Sequence, residues 1–224
     1  MAIYDTYKKE VLSASLWLSE NGFFGSKRGT GGNVSMRIEE RDAMAITPSS
    51  VRYQSLSFED ICVVGFDLVT IEEKLAPSVE AGMHGIIYRE RPDINAILHT
   101  HQIYGSIFSI INRPIPALFD EVSLHLGDIV EVIPYGISGS PDLAKNVSMR
   151  LDNGANAYII QNHGVLTLGK TMEEALFNAE LLEKAAKVYS FALMTGKKIT
   201  TLPKEALEAA RRKRRPDEEG VKEK

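Results

Sequence analysis

The chain has 224 residues, of which 44% are apolar and 25% charged, with a formal net charge of −4; this is the composition of an ordinary globular domain whose surface does not attract nucleic acid. A single cysteine, Cys62, excludes a framework of disulfides and suits a reducing cytoplasm. No apolar stretch approaches the roughly 20 residues that span a bilayer, and residues 1–5 lack the basic start of a signal peptide, so we expect a cytoplasmic protein without a membrane partner.

Apolar periodicity predicts helices and strands that alternate along the chain. The three- and four-residue spacing of a stripe that includes Tyr4, Val11 and Leu18 predicts a first helix that ends at Asn21-Gly22. Period-two alternation and short apolar runs predict the strands, whereas apolar stripes after N-cap or proline signals predict later helices. The strands are expected at 34–38, 43–46, 61–66, 96–101, 130–133, 157–160 and 165–168, and the later helices at 78–90, 103–111, 140–151 and 171–194.

Three helix starts carry specific signals. Ser78 and Ser140 are expected as N-caps, and a proline at the first helical position follows Ser140. Thr171 and Glu174 have the spacing of a capping box. The interleaved strands and helices predict one α/β domain over residues 1–196, with helices covering a mixed sheet.

The character of the sequence changes after Gly196. Residues 197–224 are highly charged and predict a tail that is partly disordered. The block Arg211 to Arg215 is interpreted as solvated surface rather than a nucleic-acid site, because the acidic Asp217-Glu218-Glu219 follows it and no aromatic residues are interleaved.

Three of the five histidines lie at predicted strand ends. His99 and His101 are two residues apart on one strand, so their imidazoles point to the same face, which fits a metal site at a sheet edge. His163 directly follows the predicted strand 157–160. Three histidines with an open fourth position are typical of a catalytic zinc site. The pair alone is weak evidence, and with His163 a metal site and no site at all stay as even alternatives.

Glu80 falls in the first turn of the helix that Ser78 opens. An acidic residue there is favoured by the helix dipole alone. The functional alternative is a carboxylate beside the metal, acting as a fourth ligand or a proton carrier. His84 lies four residues later on the same face and is interpreted as a hydrogen-bonded supporting residue rather than a ligand.

Three short segments have features that bind anions. Gly31-Gly32-Asn33 can present backbone N–H groups, Thr47-Pro48-Ser49-Ser50 offers hydroxyls, and Ser78 marks a helix start. Each is a common turn or cap. They form a phosphate pocket only if the fold brings them together.

These segments together carry a resemblance. The sequence resembles the class II aldolase/adducin family over roughly Tyr7 to Met194, and most closely its L-fuculose-1-phosphate aldolase branch. The resemblance implies a three-layer α/β/α domain with a central, mostly antiparallel sheet, the class II aldolase fold. It also implies a homotetramer with active sites at subunit interfaces. The motifs are Gly29-Thr30-Gly31-Gly32-Asn33-Val34-Ser35, Ile46-Thr47-Pro48-Ser49-Ser50, Pro77-Ser78-Val79-Glu80, His99-Thr100-His101 and Asn162-His163-Gly164.

The resemblance also implies roles for individual residues. His99, His101 and His163 would hold Zn²⁺, with Mn²⁺ or Co²⁺ as other possible metals. Glu80 would ligate the free metal and then shuttle a proton. The residues implied to bind the substrate phosphate are Gly32, Asn33, Ser49, Ser50 and Ser78.

The implied reaction is zinc-dependent cleavage of a ketose 1-phosphate, fuculose-phosphate-like or a deoxy-sugar phosphate, to dihydroxyacetone phosphate and an aldehyde through a metal-stabilised enediolate. A decarboxylase or a methylthioribulose-phosphate dehydratase-like lyase of the same family is the alternative, and a 4-epimerase is less favoured. Glu80 stands where the epimerases have an aspartate, which favours the aldolase. A non-catalytic scaffold, as in adducin, would have no use for an open metal site.

Two departures from the fuculose aldolase pattern concern the acid that protonates the aldehyde oxygen in the condensation direction. Asp120 stands at the place of a catalytic tyrosine, and no tyrosine follows Tyr189. Asp120 or Glu121 would serve as this acid if burial raised its pKa. The alternative is a structural or interface carboxylate. These changes leave the identity of the sugar phosphate open.

Overall fold

The computed structural model describes residues 3–214. The described strands are β1 (Asn33–Ile38), β2 (Ala43–Ile46), β3 (Cys62–Gly65), β4 (Thr70–Glu72), β5 (Ala96–Thr100), β6 (Ile115–Pro116), β7 (Ile129–Ile133), β8 (Ala157–Ile160) and β9 (Gly164–Gly169). The described helices are α1 (Asp5–Glu20), α2 (Ala81–Glu90), α3 (Ile103–Ile111), α4 (Asp120–His125), α5 (Pro141–Ser148), α6 (Met172–Met194) and α7 (Lys204–Arg214).

One mixed sheet organises the described part of the chain. Its nine strands lie in the order β4-β3-β2-β1-β5-β9-β8-β7-β6, so β5 is the middle strand. The strands pair antiparallel except β7 and β8, which run parallel. This confirms the predicted α/β fold with a mostly antiparallel sheet.

Helices cover both faces of the sheet, because successive residues of the central strands point to opposite sides. Ile97 of β5 belongs to a buried cluster with Met83 of α2 and Leu143 of α5. The next residue, Leu98, belongs to a different cluster, with Val11 of α1 and Ala179 of α6. β5 is buried on both faces and therefore fixes the position of whatever follows it. Within residues 3–214, no helix combines the length and apolar character that crossing a membrane requires.

The helix starts differ from the prediction in two places. α2 begins at Ala81 with Glu80 at the N-cap position, whereas Ser78 Oγ accepts from the backbone N–H of Glu80 at 3.2 Å one turn earlier. Thr171 caps α6, but the Glu174 carboxylate accepts from the backbone N–H of Lys170 instead of completing a capping box. The expected cap of α5 is confirmed, since Ser140 Oγ accepts from the backbone N–H of Leu143.

A helix occupies part of the charged segment after Gly196. α7 packs against α4, and its Leu207 contacts the core cluster under α6. Arg211 pairs with the Asp128 carboxylate, and Arg214 donates to the carbonyl oxygen of Ser123. Residues 215–224, including the last arginine of the basic block, lie outside the described residues. The division into a domain up to residue 196 and a tail stays a prediction.

Candidate metal centre

Strand register brings the three predicted histidines together. In the antiparallel pair β5–β9, Thr100 lies opposite Val165, so the end of β5 meets the start of β9. The turn between β8 and β9 carries His163 to the same place. Nε2 of His99 lies 3.1 Å from Nε2 of His101 and 3.2 Å from Nε2 of His163. The predicted grouping at strand ends is confirmed, and it lies at the end of β5, which is the middle strand of the sheet.

The donor atoms of this triad fit a divalent metal ion. The three ligand nitrogens lie within 4.8 Å of one another, and the two Nε2 separations from His99 are close to the roughly 3.3 Å that a tetrahedron with zinc–nitrogen bonds of about 2.0–2.1 Å would give. His99 Nδ1 donates to the Val165 carbonyl oxygen at 3.0 Å, which fixes the ring and leaves Nε2 free to coordinate. Burial and the neighbouring imidazoles lower the pKa of His101 to about 3 and also lower the pKa of His163. These rings are therefore neutral donors.

Gly164 makes the convergence possible. A Cβ at this position would lie 2.4 Å from the carbonyl oxygen of Thr100 and 2.7 Å from Cδ2 of His101. Both distances are below van der Waals contact, and the first involves backbone that cannot move without separating β5 from β9. The glycine after His163 is thus required by the close approach of the two strands.

Glu80 lies against the triad. Its Oε2 is 3.4 Å from Nε2 of His99, and its Oε1 is 3.4 Å from Nε2 of His163. Asn33 Nδ2 donates to Oε2 at 2.7 Å and Ser138 Oγ donates to Oε1 at 2.9 Å. Burial by itself raises the pKa of Glu80, whereas positive charge at the positions of the His99 and His163 imidazoles and these two hydrogen bonds lower it, and the net direction is downward. The carboxylate is ionised and held in one orientation.

Ser138 is a site residue that the sequence does not reveal. It lies in the segment between β7 and α5, where residues such as Gly136 and Gly139 are characteristic of an ordinary turn. A Cβ on Gly139 would lie 2.8 Å from the carbonyl oxygen of Val79, so this turn is pressed against the start of α2. That contact brings the Ser138 hydroxyl to Glu80. In the sequence, only the two glycines indicate that this turn packs closely against another part of the backbone.

His84 supports the site without joining the triad. Its ring is fully buried, and Nδ1 lies 2.6 Å from Ser35 Oγ, which is also 2.8 Å from the Tyr88 hydroxyl. The described metal-ligand group contains the other three histidines and not His84. This placement agrees with its interpretation as a hydrogen-bonded supporting residue.

The three anion-binding segments meet in the structure. The backbone N–H of Val34 donates to Thr47 Oγ1 at 3.2 Å, and the backbone N–H of Ser78 donates to the Thr47 carbonyl oxygen at 3.1 Å. Pro48 and Pro77 form an isolated bridge beside these contacts. The segments that carry Gly32, Ser49, Ser50 and Ser78 are therefore neighbours, as a phosphate pocket requires.

Gly32 and Asn33 are each constrained by a contact with the metal centre. Gly32 has a φ of +74°, and a Cβ there would lie 2.6 Å from the carbonyl oxygen of His99. The Asn33 amide already donates to Glu80, while its Oδ1 is buried without a hydrogen-bond partner. Asn33 therefore links the anion-binding segments to the carboxylate. Phosphate binding by these residues stays a prediction.

The two candidate acids lie elsewhere in the chain. Asp120 and Glu121 form the first turn of α4 and are exposed. Glu121 Oε2 is 3.0 Å from Nζ of Lys184 on α6. The burial on which an acid role depends is absent within the single chain.

The comparison with known protein families settles the membership of the chain. The class II aldolase and adducin N-terminal domain matches residues 9–190, which is most of the sequence. The chain belongs to this family. Its triad, Glu80 and the glycine-rich loop all fall within the matched residues.

Individual relatives in the family are similar over nearly the whole chain. An L-fuculose phosphate aldolase of Haemophilus influenzae is 35% identical over 184 residues, which cover 82% of this chain and 83% of that protein. A solved L-fuculose 1-phosphate aldolase superposes with a TM-score of 0.85 at 32% identity, covering 92% of this chain and 94% of the other. YgbL of Klebsiella pneumoniae, described as a putative aldolase/epimerase/decarboxylase, superposes with a TM-score of 0.81 at 25% identity, covering 94% and 99%.

Family membership and the geometry of the site support the same class of enzyme. The chain is a class II aldolase homologue with a histidine triad that forms a metal site. It is therefore an enzyme of the metal-dependent aldehyde-lyase type. Which substrate it takes is a separate question, because the structural relatives include both fuculose aldolases and a protein of broader description.

Proposed function

We propose that the chain is a zinc-dependent aldolase that cleaves a ketose 1-phosphate, fuculose-phosphate-like or a deoxy-sugar phosphate, to dihydroxyacetone phosphate and an aldehyde. The observation that carries this proposal is the position of Glu80. Its carboxylate lies 3.4 Å from the ligand nitrogens of His99 and His163 and is held by two further hydrogen bonds. A carboxylate beside an open metal site suits proton transfer at a carbon next to a carbonyl.

Separate groups of residues would bind the metal ion, bind the substrate phosphate and transfer the proton. His99, His101 and His163 would hold the ion, which acts as a Lewis acid and stabilises negative charge on substrate oxygens when bound. Mn²⁺ or Co²⁺ would fit the same nitrogen donors. The assembled segments around Gly32, Asn33, Ser49, Ser50 and Ser78 would hold the substrate phosphate.

Glu80 would deliver and remove the proton on carbon. In the cleavage direction it would first take up a proton and then deliver it to the carbon that becomes the hydroxymethyl end of dihydroxyacetone phosphate. In the reverse direction it would abstract that proton. A carboxylate is a weak base toward a C–H group, so abstraction depends on prior polarisation of the neighbouring carbonyl. Asn33 and Ser138 keep the carboxylate aimed at that carbon.

A homotetramer with active sites between subunits is part of the proposal. Three isoleucines of α3 are exposed and lie on one face of the helix: Ile103 is 64%, Ile110 70% and Ile111 50% exposed. α3 starts two residues after His101, so a subunit packed on this face would reach the metal centre. In cleavage, Asp120 or Glu121 would then accept the proton of the hydroxyl that becomes the aldehyde oxygen, at a neighbouring subunit's site, and in the reverse direction it would return that proton; packing there would supply the burial missing within one chain.

Metal analysis followed by product analysis tests the proposal. Purified protein should contain one zinc per chain, a chelator should abolish cleavage, and added zinc should restore it. A panel of ketose 1-phosphates should yield dihydroxyacetone phosphate. If the protein holds no metal and chelation changes nothing, the proposal is wrong.

A related lyase is the second candidate. The observation that favours it is the replacement of the expected tyrosine by Asp120 and the lack of any tyrosine after Tyr189. If metal is bound but no ketose phosphate yields dihydroxyacetone phosphate, a decarboxylase or a methylthioribulose-phosphate dehydratase-like activity replaces the aldolase. A 4-epimerase is less favoured because position 80 is a glutamate.

A further inference from the structure

Three positive side chains line one pocket next to the glycine-rich loop. Lys27 and Arg28 of the loop and Arg52 of the following turn surround it, together with Gln54 and Ser55. The pocket has no acidic lining residue. Among the described residues, none of the three cations takes part in an ion pair. Three uncompensated cations in one pocket are unusual in a chain whose net charge is −4.

The loop that carries Lys27 and Arg28 rests on the metal centre. The backbone N–H of His101 donates to the Phe23 carbonyl oxygen at 2.9 Å, just before the loop. At its other end, a Cβ on Gly31 would lie 2.8 Å from Nδ1 of His101. Both ends of the loop are thus fixed against a metal ligand, and the cations project from the segment between them.

Tyr53 fixes Arg52 beside the same loop. The Tyr53 hydroxyl donates to the carbonyl oxygens of Gly31 and Gly32 at 3.1 and 2.7 Å. Its ring stacks on Phe24 with a centroid distance of 4.2 Å. Arg52 directly precedes Tyr53, so these contacts also fix the backbone at Arg52. The turn and the loop therefore form two walls of one pocket, and its geometry is set partly by backbone.

The residues of the pocket adjoin those of the candidate phosphate site along the chain. Ser49 and Ser50 precede Arg52 on the same turn, and Gly32 follows Arg28 on the same loop. The other polar groups of the pocket are already used, because Gln54 Nε2 donates to Ser19 Oγ and Ser55 Oγ donates to the Arg52 carbonyl oxygen. The guanidinium and ammonium groups are therefore the donors available to a ligand. Such groups bind carboxylates and phosphates most strongly.

We propose that Lys27, Arg28 and Arg52 form a second anion subsite that takes a second phosphate or carboxylate of the ligand bound at the metal centre. This rests on the proposed phosphate site at Gly32, Ser49 and Ser50. The preferred ligand is then a sugar phosphate with a second anionic group, not a neutral sugar carrying a single phosphate.

Binding of small probes to the zinc-loaded full chain tests this subsite without any turnover. Glycerol 3-phosphate carries one anionic group, 3-phosphoglycerate adds a carboxylate, and 1,3-propanediol bisphosphate adds a phosphate. Calorimetry at low salt should show at least about tenfold tighter binding of one or both of the probes with two anionic groups than of glycerol 3-phosphate, since charge-assisted hydrogen bonds of this kind contribute at least that much. The two probes distinguish a carboxylate from a phosphate as the second group.

The triple substitution K27Q/R28Q/R52Q should remove this preference and leave glycerol 3-phosphate affinity within about threefold of the original. The matched control K197Q/K198Q/R89Q removes three exposed charges outside the pocket and should keep the preference. All three substituted positions of the test variant are exposed, and thermal unfolding checks that both variants fold.

The outcomes separate this inference from the proposed function. If glycerol 3-phosphate fails to bind the unsubstituted protein, the phosphate site itself is wrong and the second subsite falls with it. If glycerol 3-phosphate binds but the probes with two anionic groups bind no better, only the second subsite is wrong. A preference that survives K27Q/R28Q/R52Q would assign the second anion to the metal ion instead, and equal losses in test and control variants would reduce the effect to overall charge.

Discussion

The Ser138 hydroxyl helps to orient the Glu80 carboxylate, although the two residues lie 58 positions apart in sequence. Ser138 Oγ donates to Glu80 Oε1 at 2.9 Å, and the other oxygen accepts from Asn33. Without Ser138 the carboxylate is held from one side only. It can then rotate away from the carbon to which it must deliver a proton.

Ser138→Ala should therefore slow proton exchange on dihydroxyacetone phosphate by about tenfold or more, since hydrogen bonds to charged groups contribute about 1.5–3 kcal/mol. Zinc content should stay close to the original because the described hydrogen bond of Ser138 goes to Glu80 and not to a histidine of the triad. Exchange of solvent deuterium, followed by NMR, measures the rate. Ser138→Thr keeps the hydroxyl and should retain most of the rate, and Glu80→Gln gives the floor. An unchanged rate in Ser138→Ala would remove it from the site.

The histidines were predictable from sequence, but Ser138 was not, for a physical reason. Strand periodicity fixes which residues share a face, and strand ends fix where His99, His101 and His163 meet. A turn has no period, and the approach of Ser138 to Glu80 depends on how closely Gly139 packs on Val79. That distance is set by the whole fold.

At the scale of elements, a row of polar contacts holds strand β1 against helix α2, because the side-chain spacing of the strand matches that of the helix. Residues two apart on the strand face residues four apart on the helix. Asn33 contacts Glu80, Ser35 contacts His84 and Tyr88, and Arg37 donates to the Tyr88 carbonyl oxygen. This polar ladder positions Glu80 through the helix as well as through its own hydrogen bonds.

His84, in the middle of this polar ladder, makes the stability of the folded chain depend on pH. Burial lowers the pKa of His84 from its ordinary 6.5 to about 3. The unfolded chain therefore binds a proton at this histidine below about pH 6.5 and the folded chain does not, so stability is lost as pH falls from 6.5 toward 3. Below about pH 3 both states are protonated and the dependence ends.

His84→Gln should flatten this decline by up to about 1.4 kcal/mol per pH unit, the effect of one proton. Urea unfolding between pH 7 and 4 measures the slope, at the same metal content for all variants. His125→Gln, a half-buried histidine outside the ladder, is the matched control and should keep the original slope. Equal slopes for His84→Gln and the unsubstituted protein would contradict a neutral buried His84.

The turn between β8 and β9 offers a second test at this scale. An added Cβ at Gly164 meets the Thr100 carbonyl oxygen at 2.4 Å, whereas one at Gly82 in α2 meets only Leu68 Cδ1 at 3.7 Å. Gly164→Ala should push β5 from β9 and lower zinc occupancy well below that of the unsubstituted protein. Gly82→Ala should retain full occupancy. Metal analysis after gel filtration decides, and full occupancy in Gly164→Ala would show that the turn can relax.

Elements were predictable where burial imposes a period. β5, β8 and β9 are buried throughout and gave clear apolar runs. β4 is exposed along its whole length and β6 has two residues, so neither produces a pattern. α4 has six residues, fewer than two helical turns. These short elements are placed by their neighbours rather than by their own sequence.

At the scale of the whole molecule, the exposed face of α3 connects assembly to activity. Ile103, Ile110 and Ile111 line this face, and Phe108 on the opposite side is fully buried. A helix with apolar residues on its solvent side exposes a patch that another surface usually covers. Because α3 begins just after His101, that surface would complete the site with groups that one chain lacks.

Ile110→Glu should therefore convert the assembly to smaller species and lower aldolase activity together, while zinc content and thermal unfolding of the single chain stay close to the original. A buried unpaired charge costs several kcal/mol at an interface, enough to separate subunits at micromolar concentration. Sedimentation equilibrium measures the mass and a coupled assay the activity. Met149→Glu places the same charge on an exposed apolar residue (56% exposed) beyond the end of α5 and should change neither. A monomeric Ile110→Glu variant with full activity would show that the catalytic groups all come from one chain, and Asp120 and Glu121 would then have no route to the metal centre.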